Sequence, residues 1–386
     1  MSSSARYQLT LDLEQFLAEY WQKKPLLIRQ GFAQFVDPID ADDLAGLAQE
    51  EEVDSRIVSH TDKTNWQVRH GPFDDFSQLT ETDWSLLVQA VDHWIPDSAT
   101  LLNAFRFIPS WRIDDLMVSF SMPGGGVGPH LDQYDVFIIQ GQGKRHWRVG
   151  EHQPTQAHCP HPDLLQVKPF KAIIDAELLP GDILYIPPGC PHEGYAIEPS
   201  LNYSVGFRAP SQRDLFNGLA DYMVDNELGE QRFSDAGRQA LFSHHGELST
   251  ADMQTLKASM RALLEDDALL YPFLLAQLST PNRTVAIDTP EPALASEDVA
   301  SLLAEGHSLT WHSGVKALYC NKPALFQPGE LYINGERFDS KLSVNDKQIL
   351  ADNLQFDAER LALTDNSSLF TEVLTTLVNQ GLLFEE

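Results

Sequence analysis

The sequence predicts a mixed α and β protein: a double-stranded β-helix (jelly-roll) core, a helical segment after it, and a winged-helix-like C-terminal domain. Three observations carry this expectation. Between Asp115 and Arg208, short apolar or alternating runs are separated by Gly and Pro clusters such as PGGGVGP, GQGK and PPGCP, a pattern of many short strands in a sandwich or barrel. After Pro210, apolar residues recur at helical spacing. Beyond residue 295 the order is helix, strand, hairpin, helix, helix, with Asn334-Gly335 as the hairpin turn. A chain of 386 residues exceeds one ordinary core. It divides into residues 1–210 (core about 100–208), 211–280 and 295–386.

Taken in order, residues 11–22 place Leu13, Phe16, Leu17 and Tyr20 on one helical stripe. Pro25 ends that helix, and Leu26–Arg29 reads as a strand. A second helix is expected over 40–52, its early aspartates facing the positive end of the helix dipole. Short strands follow near Arg56–Ser59 and Trp66–Arg69, then a Trp- and Leu-rich helix over 83–94. The core strands are Leu116–Ser121, Asp135–Gln140, His146–Val149, Ala172–Ile174, Ile183–Ile186 and Tyr203–Phe207. Helices over 212–226, 250–265 and 267–278 follow, and their apolar stripes suit either capping the sheet or dimerisation. Residues 279–294, with three prolines, read as a linker.

Charge narrows the partners. The net charge is −29, distributed as −11 over residues 1–100, −3 over 101–210 and −15 over 211–386. Acidic flanks around a nearly neutral middle repel bare nucleic acid and suit basic proteins, and taken alone such charge is equally accounted for by solubility. Residues 368–386 contain no Lys or Arg, so the winged-helix-like end lacks a basic recognition helix and direct DNA binding is not expected. No apolar run reaches membrane-spanning length and the N-terminus has no signal-peptide core. Three scattered cysteines make no disulfide framework, so the cytoplasm is the expected compartment.

The chemistry concentrates at Gly126–Asp132 and Pro188–His192. His130 and Asp132 stand at i and i+2, which in extended chain puts both side chains on one face. His192, expected just beyond the end of strand Ile183–Ile186, adds a second imidazole. Two histidines and one carboxylate form the facial triad that leaves one side of an iron(II) open. A 2-oxo acid can chelate two of the open positions, and dioxygen takes the third. Its far carboxylate then needs a cation, for which Lys144, Arg145 and Arg148 are at hand, Arg suiting a bidentate grip. Strand alternation admits Lys144 with His146 facing inward, or Arg145 alone. Ser119, Ser121 and Asn202 offer polar groups to the same space. The cluster His158-Cys159-Pro160-His161 lacks a CxxC partner and a workable zinc spacing. His244-His245 and His307 read as surface residues.

The stretches HLDQYDVFIIQGQGKRHWRV, PGDILYIPPGCPHEGY and LNYSVGFRAP resemble the Jumonji-C-type (cupin-like) 2-oxoglutarate oxygenases, and within them the bacterial ribosomal oxygenases. The similarity extends from FLAEYWQKKPLLIR to the C-terminal domain. It implies Fe(II) as cofactor, with 2-oxoglutarate and O2 as cosubstrates. It implies His130, Asp132 and His192 as iron ligands, Arg145 as cosubstrate anchor, and Ser121 and Asn202 as pocket residues. It further implies hydroxylation of an arginine β-carbon in the sixteenth protein of the large ribosomal subunit, and a homodimer formed through the helical segment. A guanidinium substrate calls for carboxylates and an aromatic wall, and Asp114, Asp115, Tyr134, Asp135 and Glu193 lie near the site in sequence. Two other functions fit the same residues. An N-methyl demethylase would lose a methyl where a hydroxylase retains an oxygen. A non-enzymatic ligand-sensing cupin regulator would show salt-sensitive duplex binding.

Overall fold

A computed structural model describes residues 7–239, 245–283, 287, 289–320 and 330–385. The chain forms two compact units. One comprises Met1–Ala209 with Asn282–Asp288 and His312–Gly314; the other comprises Pro210–Pro281, Thr289–Trp311 and Val315–Glu386.

In the first unit, helix α1 (Leu13–Glu19) is N-capped by Asp12, which accepts from the Gln15 amide. Of the expected stripe only Phe16 is buried within the helix; Leu13 and Leu17 stay exposed. Strand β1 (Leu26–Ile28) follows, then α2 (Ala41–Leu47), whose capping box joins Asp40 and Asp43. This second helix is shorter than residues 40–52 suggested. Strands β2 (Ser55–Thr61) and β3 (Asn65–His70) form a hairpin.

The helix expected over 83–94 is instead strand β4 (Trp84–Val88) followed by a 3-10 turn at Val91–His93. A short continuous apolar run does not distinguish buried strand from helix. Pairing decides it: β4 lies between β2 and β5 (Ile113–Ser121), with Ser85 opposite Ser121. A short helix α3 (Pro96–Ala99) precedes β5.

The remaining strands are β6 (Asp135–Gln140), β7 (Arg145–Gly150), β8 (Ala157–His161), β9 (Leu164–Val167), β10 (Ala172–Leu178), β11 (Ile183–Ile186), β12 (His192–Ala196) and β13 (Ser200–Phe207). The large sheet runs β1-β11-β6-β13-β5-β4-β2-β3, and the small sheet β10-β7-β12. Bridges from His130 to His192 and to Gln166 connect the small sheet to the β8-β9 hairpin. Alternation sorts the two faces of the large sheet. Phe137 and Ile139 of β6 join the outer core with Phe16, Phe105, Tyr185 and Tyr203. Val136 and Ile138 join Trp147 and Val149 of β7, so this second cluster lies between the sheets. Each such side chain contributes roughly 1.5–3 kcal/mol on burial.

The second unit contains α4 (Gln212–Asp225), α5 (Thr250–Glu265) and α6 (Asp267–Ser279), matching the three expected helices. Its remainder comprises α7 (Ser296–Ala304), β14 (Leu309–Trp311), β15 (Ala317–Cys320), β16 (Glu330–Ile333), β17 (Glu336–Arg337), α8 (Val344–Asp352), β18 (Gln355–Phe356), α9 (Ala358–Leu361), α10 (Ser367–Asn379) and β19 (Leu383–Glu385). Asn334 and Gly335, both at positive φ, make the β16-β17 turn as expected. Val299, Leu309, Phe356, Phe370 and Leu374 gather in the core of this region. No helix of the described residues is long and apolar enough to cross a membrane.

Candidate functional site

The site starts from a loop that only small residues can form. Gly128 has φ +77°, and a Cβ there would meet the Gln166 amide nitrogen at 2.2 Å. That amide donates to Val127 O at 2.8 Å, holding the loop against β9. His130 and His192 then form an antiparallel pair, each backbone N–H donating to the other's carbonyl at 2.9 Å. Side chains of such a pair share a face, and the two imidazole centroids are 4.2 Å apart.

One expectation of local structure is extended here and one corrected. His192 lies beyond the end of β11, as expected, and also opens a further strand, β12. His130 occupies an isolated bridge, and Asp132 lies in the corner where the chain leaves the small sheet for β6 in the large one. The i, i+2 spacing alone therefore does not bring Asp132 to the histidines. The corner does, pinned by the Gly189 N–H donating to Asp132 O at 2.8 Å.

The ligand atoms of His130, Asp132 and His192 lie within 4.8 Å of one another, the one such cluster among the described residues. Their hydrogen bonds fit a metal. Nδ1 of His130 contacts Gly128 O at 2.9 Å, and Nδ1 of His192 contacts Cys190 O at 3.0 Å. A carbonyl only accepts, so Nδ1 carries the proton and each Nε2 keeps its lone pair for a ligand role. Nε2 of His192 stands 3.4 Å from Asp132 Oδ2. Burial and the neighbouring His192 push His130 down to about 4, keeping it neutral.

Arg145 opens β7 with its side chain inward, while His146 faces out to Asp175 at 2.7 Å. This resolves the open choice at Lys144-Arg145-His146. The guanidinium crosses to the large sheet: Nε donates to Ser200 Oγ (3.0 Å), Nη1 to Ser119 Oγ (2.9 Å), and Nη2 to Ser119 O (2.8 Å) and Ser200 O (3.1 Å). Every partner is neutral, and burial alone pulls Arg145 down to about 9. Ser200 was not singled out in the sequence; its register opposite Ser121 is the signal that a strand alignment would have supplied. Ser121 is fully buried and shares a hydrogen bond with Ser85 at 2.6 Å. Asn202 donates to Ile139 O at 3.2 Å and leaves its carbonyl oxygen unpartnered.

The acidic and aromatic residues separate by role. Asp135 is fully buried and receives Arg112 (3.1 Å), Tyr185 (2.6 Å) and Gln22 (3.0 Å), which makes it structural. Glu193 pairs with Arg148 and Tyr195. Asp114 holds Arg208 and Asn282; Asp115 holds Arg283 at 2.9 Å. Tyr134 is exposed, and a Cβ on Gly206 would lie 3.8 Å from both its ring and Asp115 Oδ1. The His158–His161 run forms edge strand β8 and joins no metal-type cluster among the described residues. All three cysteines are free. His244 lies outside the described residues.

The chain is similar to known proteins over nearly its whole length. Residues 100–215 match the JmjC domain, and residues 262–384 match the ROXA-like winged helix. The chain is 49% identical to the ribosomal protein uL16 3-hydroxylase of Escherichia coli (strain K12), covering 98% of this chain and 99% of that protein. The X-ray structure of E. coli ycfD superimposes with a TM-score of 0.91 at 48% identity, covering 99% and 100% of the two chains. A second structure, described as YcfD, a ribosomal oxygenase, in complex with cobalt and 2-oxoglutarate, gives 0.88 at 46% identity over 98% and 99%. The cofactor is Fe(II), with 2-oxoglutarate and O2 as cosubstrates, and the chemistry is that of a dioxygenase. The chain belongs to the JmjC-domain ribosomal oxygenases.

Proposed function

We propose that His130, Asp132 and His192 hold the iron, that Arg145 grips the far carboxylate of 2-oxoglutarate, and that the enzyme hydroxylates the β-carbon of an arginine in ribosomal protein uL16. The observation that carries the cosubstrate assignment is the Arg145 guanidinium, buried among neutral partners inside the barrel that also gathers the triad. A buried cation with no carboxylate beside it calls for an anionic ligand. Ser119 orients that guanidinium, and Ser121 and Asn202 line the same interior. The bound iron supplies the oxidising chemistry. The chain's own part is to keep both imidazoles in the Nδ1–H tautomer and to hold one end of the cosubstrate in the barrel.

The uL16 assignment rests on the E. coli relative, and the arginine on chemistry as well. Asp115 already accommodates a guanidinium, that of Arg283, and Tyr134 supplies the adjacent aromatic face. Net charge of −29 favours encounter with a basic protein and disfavours direct DNA binding. Residues 1–210 act as the catalytic domain, 211–280 as a helical dimerisation segment and 295–386 as a winged-helix-like domain, in a cytoplasmic homodimer. The deciding experiment incubates the protein with uL16, iron(II) and 2-oxoglutarate and maps peptides by mass spectrometry. One oxygen retained on an arginine, with succinate formed, is expected. Loss of a methyl group would indicate a demethylase instead, and no oxygen on any arginine would overturn the assignment.

A further inference from the structure

Strand β7 turns Arg145, Trp147 and Val149 into the barrel. Pairing with β12 sets Val149 opposite His192, Trp147 opposite Gly194, and Arg145 opposite Ala196. Along the strand the indole therefore stands between the histidine of the triad and the guanidinium. Its ring centroid is 6.3 Å from that of His192. Gly194 is what admits it: a Cβ there would lie 2.6 Å from indole Cε2.

Trp147 is 8% exposed, and its Nε1–H is buried with no acceptor. A buried donor left unpaired is uncommon in native proteins and calls for an explanation. The ring belongs to an apolar cluster with Val136, Ile138, Leu184 and Ile186 between the sheets. An apolar lining of that kind holds a lone water poorly, since a buried water needs several polar partners.

We propose that the Trp147 Nε1–H donates to an oxygen of bound 2-oxoglutarate, positioning the cosubstrate between the iron and Arg145. The inference rests on the reading that the triad and Arg145 hold its two ends. A 2-oxo dicarboxylate stretched between them passes the indole and brings acceptor oxygens and no competing donor. Trp147 is on this view a positioning residue for the cosubstrate, and Gly194 is required because the ring must lie flat over β12.

The test uses the full chain labelled with 15N at tryptophan and loaded with zinc in place of iron. The seven tryptophans give seven indole signals, and that of Trp147 is the one absent from Trp147→Phe. Adding 2-oxoglutarate should shift that signal downfield and slow its exchange with D2O. Calorimetry should show Trp147→Phe binding 2-oxoglutarate about tenfold more weakly, as loss of a hydrogen bond to a charged group implies. The inference is overturned if 2-oxoglutarate binds the wild-type protein and the Trp147 signal does not move. Undiminished affinity in a folded Trp147→Phe overturns it equally. If that variant does not fold, the signal is assigned through its proximity to Gly194 and the shift alone decides. Should Arg145→Ala bind 2-oxoglutarate as tightly as wild type, the underlying assignment falls along with this one.

Discussion

Arg145 shows how a single residue can be costly in the free protein and, in the role proposed for it, useful in the complex. Its charge is removed from water and met only by hydroxyl and carbonyl oxygens of Ser119 and Ser200. Replacing it with methionine relieves that desolvation and forfeits four hydrogen bonds. The opposed effects should leave stability within about 2 kcal/mol of wild type. Affinity for 2-oxoglutarate should fall by about 100-fold or more, as calorimetry beside thermal unfolding would show. An unchanged affinity would remove Arg145 from the site. At the triad, His130→Ala or Asp132→Ala should lower both metal affinity and turnover by more than about 100-fold with the fold intact. Succinate formation and circular dichroism together check this outcome, and persistent turnover would rule out the proposed ligand set.

At the scale of elements, the proposed iron site depends on backbone that must approach closely. Gly128→Ala would set a Cβ at positive φ and against the Gln166 side chain, disturbing the loop that presents His130. Metal affinity should drop by about tenfold or more while the β6 and β11 core stays folded, measurable by competition with a chelating dye. The Asp135 network works differently, since through Gln22 and Arg112 it ties the turn after α1 and a 3-10 turn at Ser110–Arg112 to β6, where the Tyr185 hydroxyl of β11 joins it. Asp135→Ala would strand the half-buried Arg112 and the Tyr185 hydroxyl. Such a break costs about 3–5 kcal/mol, so denaturant titration should show a large loss of stability. A stability within 1 kcal/mol of wild type, in a variant retaining the fold, would contradict a structural role.

For the whole molecule, charge and exposed apolar surface define what it can meet. Helix α5 buries no residue, and Met253, Leu256, Met260 and Leu264 are all exposed along it. Exposed apolar stripes of that composition commonly mark interfaces. If the segment dimerises, the double substitution Leu256→Glu and Met260→Glu should convert the dimer to a monomer in light scattering. An unchanged mass would place the interface elsewhere. The acidic body also predicts that association with a basic substrate slows as salt rises, because screening shortens the reach of the field. Stopped-flow rates at two ionic strengths would test this, and equal rates would exclude electrostatic steering.

Much of this was legible in the residues. Strands Asp135–Gln140 and Ile183–Ile186 and helix Thr250–Glu265 follow from local pattern, because alternation and turn chemistry act over a few residues. His130, Asp132 and His192 were legible as a set from residue type and from the Gly and Pro around them. Pairing partners were not. The run Trp84–Val88, expected as part of a helix, is a strand because β2 and β5 flank it. Ser200 and Trp147 gain significance only from register, Ser200 by meeting Arg145 and Trp147 by lying over Gly194. Sequence by itself determined which residues offer metal-type ligand atoms and a cation to the site, since ligand chemistry belongs to the side chain. Tertiary structure alone decided which imidazole nitrogen is free, which of three adjacent basic and imidazole groups turns inward, and which buried donor is left without a partner. Those depend on contacts between strands far apart in the chain, and no local pattern encodes them.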